Sequence, residues 1–529
     1  MKKYILLIAL VIVAISSCDE DELLNQTNPN ALAPSNFWRT AEDAKLAIIG
    51  AYAPFTDIWY YTRFEIFLSD YRDDLVNGFA VSERTAAGNF NADPASNGAK
   101  WVWSAMYKGI SRANEVLYNV PLIEDIDETD RNHILGEAYF IRAFNYFNLL
   151  NYWRNVPLIL VPSGQIENAR LVAQAAPSEV HNQIIADLEE AERLLPETWP
   201  PADLGRARKV AATAMKGKAY LYNEDWGLAK TAFESVMGNS NVGLVADYRD
   251  NFREATENNF ESIFEVQFKN NSDGKQGWCA DCANHGAGAA YHNDLVTRPF
   301  GNQDGLRINR WALDLFLDEA TVNGETDPRA FSTLLWDNTA IPGPSTTTNY
   351  QGEVLQESYF LGQTYAEAWG GTANDGQIFV TKHLDFEEGY ESAQAGGWHR
   401  SGNNLRVLRY ADVLLMFAEA EFMLNGSTPA ALDAINQVRQ RVDMPDFTTI
   451  TMQDIMDERV KELSLERTRY YDLLRWGLVE ERIVNNPDNV KSESGGTGAY
   501  RPGREYVAIP QDEMNNSDVF VQNPGWEAL

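Results

Sequence analysis

The chain has 529 residues, with 44 Lys and Arg against 76 Asp and Glu, so its formal net charge is −32 at pH 7. This charge repels the phosphates of nucleic acids and the surfaces of anionic lipids, so it excludes nucleic acid as a partner and favours neutral or cationic ligands. The sequence has no P-loop, G-x-S-x-G, H-E-x-x-H or dinucleotide-binding motif, and we predict neither a cofactor nor a bound metal.

The first 17 residues have the features of an export signal. Lys2 and Lys3 precede the apolar run Ile5–Ile15, which is shorter than the roughly 20 residues that a membrane-spanning helix needs. Two serines stand directly before Cys18, as at a bacterial lipoprotein cleavage site. We predict that residues 1–17 are removed and that Cys18 carries the lipid anchor. The alternative is a plain secretory signal with an incidental cysteine.

A tether follows the predicted lipid anchor. Residues 18–36 begin with four consecutive acids after the cysteine and continue as an Asn- and Pro-rich stretch. Such a composition does not bury enough apolar surface to fold alone. We predict that the remaining residues, 37–529, form a single domain.

Helix pairs of the tetratricopeptide (TPR) type recur along this domain. Residues 210–237 contain Gly217-x2-Tyr220 and then Ala229-x3-Phe233, at the spacing that this repeat requires. The small residues allow the two helices of a pair to approach closely. We predict a mainly α fold, a TPR-like helical-hairpin superhelix. The predicted pairs are residues 41–55 with 101–120, 133–196, 210–237 and 409–439.

Two long stretches between the repeats, residues 56–100 and 240–405, are rich in Gly, Asn, Asp, Thr and aromatic residues. They are too long for simple connections, so we predict a large irregular, loop-rich lobe with minor short strands. The alternating residues 261–268 predict one strand, and Pro328 predicts the first position of a helix. Ligand contacts are expected on this lobe, because binding residues are concentrated on loops held by a rigid scaffold.

Aromatic residues in the lobe are the candidate ligand contacts. Flat rings are stacking platforms for a small ligand, so exposed aromatic side chains predict a binding surface. For any single ring, burial in the core is the competing interpretation. The candidates are Trp59, Tyr60, Phe79, Phe90, Trp101, Trp278, Tyr291 and His292.

Cys279 and Cys282 have C-x-x-C spacing beside Trp278. In an exported protein this spacing favours a local disulfide that stiffens a loop. A zinc site with His285 and His292, and a redox-active dithiol, remain as alternatives.

Two groups of acids raise the alternative of an α-helical glycoside hydrolase, which needs two carboxyl groups about 5–10 Å apart. The first is Asp70, Asp73 and Asp74, and the second lies at residues 385–388. We interpret both as solvated charge runs. Calcium binding by the first group is a weaker alternative, because EF-hand spacing is absent.

Arginines and carboxylates recur at spacings of three or four residues on the predicted C-terminal helices. Pairs at such spacing form bidentate contacts that orient packed helices. We therefore predict a structural ion-pair network rather than a catalytic group. Its members are Arg409, Asp412, Glu419, Glu466, Arg469, Asp472 and Arg475.

Several segments together resemble the RagB/SusD family of outer-membrane nutrient-binding lipoproteins. They are "GEAYFIRAFNYFNLLNYWRNVPLI" (136–159), "RYADVLLMFAEA" (409–420), "INQVRQRV" (435–442), "ERVKELSLERTRYYDLLRWG" (458–477) and "REYVAIPQDEM…VQNPGW" (504–526). The C-terminal motifs span residues 458–526, and the resemblance runs the length of the chain.

The resemblance implies a non-enzymatic lipoprotein on the surface of the outer membrane. Such a protein captures oligosaccharide, or alternatively oligopeptide, and acts as the lid of a SusC-like TonB-dependent β-barrel transporter. The resemblance also implies that the ligand site lies in the loops of the lobe.

Overall fold

The computed structural model describes residues 37–77, 86–269, 295, 306–336, 378–383, 401–486 and 500–527. The predicted signal peptide and tether lie outside these residues. Helices dominate the described chain and strands are short, so the predicted fold class is confirmed. Among the described helices, none is both long and apolar enough to cross a bilayer.

Helices in the N-terminal half stack in chain order, and helices of the C-terminal half continue the stack. Within pairs, α1 packs on α2, α3 on α4, α5 on α6 and α9 on α10, while α2 also contacts α3, α4 contacts α5 and α6 contacts α9. The helices are α1 Ala41–Tyr52, α2 Asn97–Asn119, α3 Glu128–Trp153, α4 Pro177–Leu194, α5 Lys209–Tyr222, α6 Trp226–Met237, α7 Arg310–Leu317, α8 Pro328–Thr333, α9 Tyr410–Asn425, α10 Pro429–Gln440, α11 Met452–Leu463, α12 Arg469–Arg475 and α13 Gln511–Asn516.

Local sequence explains where several helices begin and end. The Thr40 hydroxyl accepts a hydrogen bond from the Asp43 N–H, and the Asp43 carboxylate accepts one from the Thr40 N–H, so α1 starts with a capping box. Thr428 caps α10 directly before a proline at its first position. Gly426 ends α9 with a φ of +76°, a conformation that glycine adopts at little cost.

Small residues bring the paired helices into close contact, as the repeat pattern predicts. A Cβ built on Gly217 of α5 would lie 2.5 Å from Cε1 of Phe233 on α6. In the preceding pair, a Cβ on Gly136 would lie 3.0 Å from Cβ of Leu194. Ala418, which occupies the same position in α9, is fully buried.

Two small antiparallel sheets connect the helices to the irregular part of the chain. They are formed by β1 Ser262–Val266 with β4 Leu405–Arg409 and by β2 Leu334–Trp336 with β3 Ile378–Val380. β1 confirms the predicted strand, and α8 begins at Pro328 with the Asp327 carboxylate capping the Arg329 N–H. Because β4 runs directly into α9, Arg409 lies at a junction between the sheet and the helical stack.

Most of the described residues between α1 and α2 are buried, although the sequence pattern assigns them to the lobe that carries the ligand contacts. Residues 57–76, which we call the turn segment, form short 3-10 turns whose residues are almost all buried. Its rings pack with helix side chains; the Tyr61 ring, for example, lies 6.1 Å from that of Phe144 on α3. Among the described residues, one continuous hydrophobic core therefore includes both the helices and the turn segment.

Candidate functional site

Three of the predicted ligand-contacting rings are core residues. Trp59 is 6% exposed, Tyr60 0% and Phe90 1%, so none offers a face on which a sugar could stack. Trp59 packs against the partly exposed Trp101 with ring centroids 3.6 Å apart. These assignments are corrected: Trp59, Tyr60 and Phe90 pack the core, and Trp101 is partly buried against it.

The Tyr60 ring illustrates the reason for this correction. It stacks on Tyr61 at 4.2 Å, and the Asn148 amide of α3 donates hydrogen bonds to both phenol oxygens, at 3.0 and 2.9 Å. The polar ends of the rings are therefore satisfied inside the protein. A buried tyrosine with its hydroxyl paired stabilises packing and needs no external ligand.

The other predicted positions lie outside the described residues. They are Cys18, Phe79, Trp278, Cys279, Cys282, Tyr291 and His292, together with the second acidic group at 385–388.

The first acidic group is buried, so its interpretation as a solvated loop is wrong. Asp70, Asp73 and Asp74 each have 0% exposure. Asp74 pairs with Arg469 at 2.8 Å and with Arg482 at 3.1 Å. Burial alone would raise the pKa of Asp74, but the two guanidinium groups lower it.

The two other aspartates accept hydrogen bonds from backbone N–H groups. The Asp70 carboxylate accepts from the Arg467 N–H at 2.9 Å, and burial raises the pKa of Asp70 to about 7. Asp73 accepts from the N–H groups of Leu75 and Val76 at 2.9 and 3.2 Å. Within the described chain, no group of three or more His, Cys, Asp or Glu side chains is arranged to hold a metal ion.

All seven predicted network residues form ion pairs, in three groups. In the first, Arg409 pairs with Glu261 and Glu466, both at 2.7 Å, and with Glu462. Glu462 also contacts Arg329 and Arg441. This group links the β4–α9 junction to α8, to α11 and to the residue after α10, and its side chains are almost completely buried.

The second group joins the stack of TPR-type helices to the C-terminal helices. Asp412 on α9 pairs with Lys218 on α5 at 3.1 Å and with Arg459 on α11 at 2.9 Å. Burial alone would raise the pKa of Asp412, but these two cations lower it to about 2. Asp472 on α12 bridges Arg459 and Arg475.

Glu419 completes this second group by pairing with Arg475. The third group is formed by Arg469, whose partner is Asp74 of the turn segment rather than an acid of a neighbouring helix turn. The charged residues are thus committed to contacts between elements, and the arrangement is structural.

A surface cavity of about 400 Å³ lies between the α4–α5 connection and β1. Its wall combines rings, amides and arginines, the groups that recognise polar ligands with apolar faces. We call it the Arg208 cavity. Its lining residues include Trp199, Arg206, Arg208, Asn241, Asn258, Phe260 and Glu265.

Comparison with known proteins identifies the family of the chain. The model of the SusD family matches residues 245–526, and a second model, described as starch-binding and associating with the outer membrane, matches residues 47–221. The chain belongs to the SusD family. The predicted resemblance is therefore confirmed.

Relatives of this SusD-family chain align over nearly all of its length. SusD-like protein P25 of Formosa agariphila is 25% identical over 547 residues, covering 98% of both chains. Starch-binding protein SusD of Bacteroides thetaiotaomicron is 23% identical and covers 82% of this chain and 80% of its own.

Solved structures show the same fold. A SusD superfamily protein from Bacteroides vulgatus has a TM-score of 0.76 at 25% identity, covering 93% of this chain and all of its own. A laminarin-binding SusD-like protein has a TM-score of 0.71 at 27% identity, covering 92% of this chain and all of its own.

The Arg208 cavity of this SusD-family protein was not predicted. Phe260 follows two asparagines in "ENNFES", and Trp199 precedes two prolines in "ETWPPADLG". Turn-forming residues beside a single ring are the signal that could have drawn attention to both. Their convergence depends on the packing of β1 against α5, which the sequence pattern does not specify.

His383 follows β3 and is buried near the first group of ion pairs, so its protonation links the stability of the protein to pH. Its Nε2 lies 2.7 Å from the Leu465 carbonyl oxygen, to which the neutral ring donates. Burial, together with the nearby cations of Lys382 and Arg467, lowers the pKa of His383 from 6.5 to about 3, although the contact with the Leu465 carbonyl opposes this shift. The unfolded chain therefore binds a proton near pH 6 that the folded chain does not bind.

We expect the stability of the native protein to fall as the pH falls from 6 to 4, with His383 contributing about 1.4 kcal/mol per pH unit. In His383→Gln this contribution is absent, so the free energy of unfolding depends less on pH in that interval. Urea unfolding at several pH values measures the slope. His133→Gln, which alters a partly exposed imidazole, should change the slope less. Equal slopes in native protein and His383→Gln would contradict the prediction.

Proposed function

We propose that this SusD-family protein is a non-enzymatic, cell-surface lipoprotein that captures oligosaccharide. The observation that carries the proposal is the likeness to the laminarin-binding SusD-like protein, at 27% identity over 92% of this chain. Captured glycan passes to a SusC-like TonB-dependent transporter of the outer membrane, for which the protein acts as the lid. A lipid on Cys18 anchors it, because several acyl chains bind a bilayer firmly.

The proposed ligand surface consists of Phe79, Trp278, Tyr291 and His292, with a disulfide between Cys279 and Cys282. Described residues that flank these positions support a shared site. The Asn77 N–H donates to the Arg307 carbonyl at 2.7 Å, and the Leu306 N–H donates to the Leu295 carbonyl at 3.1 Å. The chain next to Phe79 and the chain next to His292 are therefore attached to the frame at neighbouring places.

The burial of the first acidic group supports binding rather than hydrolysis. A glycosidase needs two carboxyl groups open to the substrate in a cleft. Asp70, Asp73 and Asp74 instead accept hydrogen bonds from backbone or pair with arginines, without exposure to solvent. Ligand affinity then depends on stacking and hydrogen bonding, and the energy for uptake comes from the transporter.

Calorimetry on soluble protein from residue 19 onward, with laminarihexaose as the probe and chromatography of the recovered sugar, tests the proposal. We expect binding without turnover, and Trp278→Ala and Tyr291→Ala should each weaken it about tenfold, the effect of losing about 1.4 kcal/mol. Tyr118→Ala removes a ring that is 48% exposed on the helical frame and should have no effect.

Other results would redirect the assignment. Shortened products would indicate a hydrolase. Binding of an oligopeptide mixture in place of laminarihexaose and other oligosaccharides would indicate an oligopeptide receptor. Loss of affinity in Tyr118→Ala equal to that in Trp278→Ala would contradict the proposed ligand surface.

A further inference from the structure

Arg208 lies on the wall of the Arg208 cavity, and no acid in the described part of the chain pairs with it. Its Nη2 donates to the Ser262 carbonyl at 2.6 Å and its Nη1 to the Asn241 carbonyl at 3.5 Å, both neutral acceptors. Among the described residues, no carboxylate forms an ion pair with it. Burial lowers the pKa of Arg208, and only the more distant charge of Glu265 opposes this effect.

The other charges of the cavity are already neutralised. Arg206 pairs with Glu137 and with Asp203. The Glu265 carboxylate lies 3.3 Å from Nε of Arg406. Because these charges are balanced, Arg208 carries the charge that remains available to a ligand among the described lining residues.

Glu265 is also held by hydrogen bonds. It accepts from the backbone N–H of Asn258 at 3.1 Å and from the side-chain amide of Asn404 at 2.9 Å. These contacts fix the carboxylate of Glu265. It therefore does not form an ion pair with Arg208.

Flat apolar surface lies beside this charge. Phe260 is 50% exposed, and its ring rests so closely on Gly243 that a Cβ there would lie 2.3 Å from Cε1. The Cε1 edge of the ring is thereby held against the chain, while half of the residue's surface remains open to solvent. Leu204, 58% exposed, extends the apolar rim.

Trp199 is fixed in the wall of the cavity. Its Nε1 donates to the Ala207 carbonyl at 2.7 Å, and the guanidinium of Arg206 covers the ring at 4.4 Å from its centroid. The cavity therefore has a preformed apolar surface, and little side-chain ordering is needed on binding.

We propose that the Arg208 cavity binds an anionic sugar, with the guanidinium of Arg208 on a carboxylate or sulfate ester and the Phe260 ring on the face of the pyranose. This subsite is separate from the ligand surface proposed above. Its role in the cell, but not its binding of an anionic sugar, rests on the proposed capture of glycan. An arginine held among neutral acceptors gains charge-assisted bonds from an anion, and its planar fork suits both groups.

The net charge of the chain makes this local feature informative. At −32, the mean field of the protein disfavours anions. A partly buried arginine that pairs with none of the described carboxylates is thus unusual in a chain with an excess of them. Local complementarity at close range outweighs the mean field, because that field is screened over about 8–10 Å in physiological salt.

Calorimetry on soluble protein from residue 19 onward tests the inference with three probes: trigalacturonate, a sulfated carrageenan oligosaccharide and neutral laminarihexaose. We expect at least one anionic probe to bind. Binding of trigalacturonate would identify a carboxylate as the preferred group, and binding of the carrageenan oligosaccharide would identify a sulfate ester. Arg208→Gln should weaken that binding at least tenfold, Arg208→Lys less, and Phe260→Ala severalfold. Laminarihexaose affinity should stay within twofold of native protein in all three variants.

Arg193→Gln is the matched control. It removes the same charge from an exposed arginine paired with Glu190, outside the cavity, and should leave the affinity for the anionic probe unchanged. Equal weakening by Arg193→Gln and Arg208→Gln would show diffuse attraction and overturn the inference.

Failure of the two proposals is distinguishable. Absence of binding by both anionic probes, with laminarihexaose still bound, overturns the anionic subsite and leaves glycan capture standing. Binding of an anionic probe without laminarihexaose supports the subsite and contradicts laminarihexaose as the captured glycan. If Arg208→Gln does not fold, Arg208→Lys and Phe260→Ala decide: unchanged anion affinity in both overturns the inference.

Discussion

Replacing Glu462 by glutamine is expected to lower the free energy of unfolding by about 3–5 kcal/mol, the cost of removing one partner from a buried ion pair. Glu462 is fully buried on α11 and its carboxylate contacts Arg329, Arg409 and Arg441. Glutamine keeps the size of the side chain and removes its charge. The positive charges of the three guanidinium groups then repel one another more strongly, because one of the carboxylates that neutralise them is lost.

The location of Glu462 makes this effect large. Its three partners come from α8, from the β4–α9 junction and from the residue after α10, so one carboxylate holds four elements in place. Burial alone would raise the pKa of Glu462, but the three arginines lower it. The charged form is therefore the one that the folded protein requires.

Urea unfolding followed by tryptophan fluorescence measures the change as a shift of the midpoint. Glu190→Gln makes the same substitution in an exposed pair with Arg193 and should change stability by no more than about 1 kcal/mol. A similar shift in both variants would show that the buried network contributes no more than a surface ion pair.

Replacing Gly217 by valine is expected to destabilise the protein by about 2–3 kcal/mol through overpacking. A Cβ at this position would lie 2.5 Å from Cε1 and 2.8 Å from Cδ1 of Phe233, and two further methyl groups extend from it. Phe233 is itself fully buried, so its ring has little room to move. The small gain in helix propensity from replacing glycine does not offset this contact.

Gly50→Val is the matched control for the second prediction. Gly50 also lies in a helix, α1, but outside that helix's own backbone and its chain neighbours, no atom of the described residues lies within 4 Å of a Cβ built there. The same substitution should therefore change the midpoint by no more than about 0.5 kcal/mol. Thermal or urea unfolding of both variants compares them directly. Equal stability of Gly217→Val and Gly50→Val would refute the close approach of α5 and α6.

The helical frame was largely predictable because its determinants are local. A TPR-type pair repeats small residues at fixed spacing, so Gly217 and Phe233 could be assigned to a helix contact from sequence. The strand at Ser262–Val266 and the helix start at Pro328 also follow from short-range patterns, alternation in one case and a fixed φ in the other. The sequence also indicated that charged residues of the C-terminal helices form ion pairs, but it did not indicate their partners.

The tertiary structure alone decided what the irregular segments do. Tyr60 and Asn148 are 88 positions apart and Asp74 and Arg469 are 395 apart, and no local periodicity links such residues. Long-range packing buried the turn segment, with its aromatic rings and aspartates, and left Arg208 beside neutral carbonyls. The sequence by itself determined a stack of paired helices in a SusD-family chain, because helix contacts repeat every few residues. Which rings and charges face solvent depended on contacts between distant segments, since burial is a property of the assembled chain.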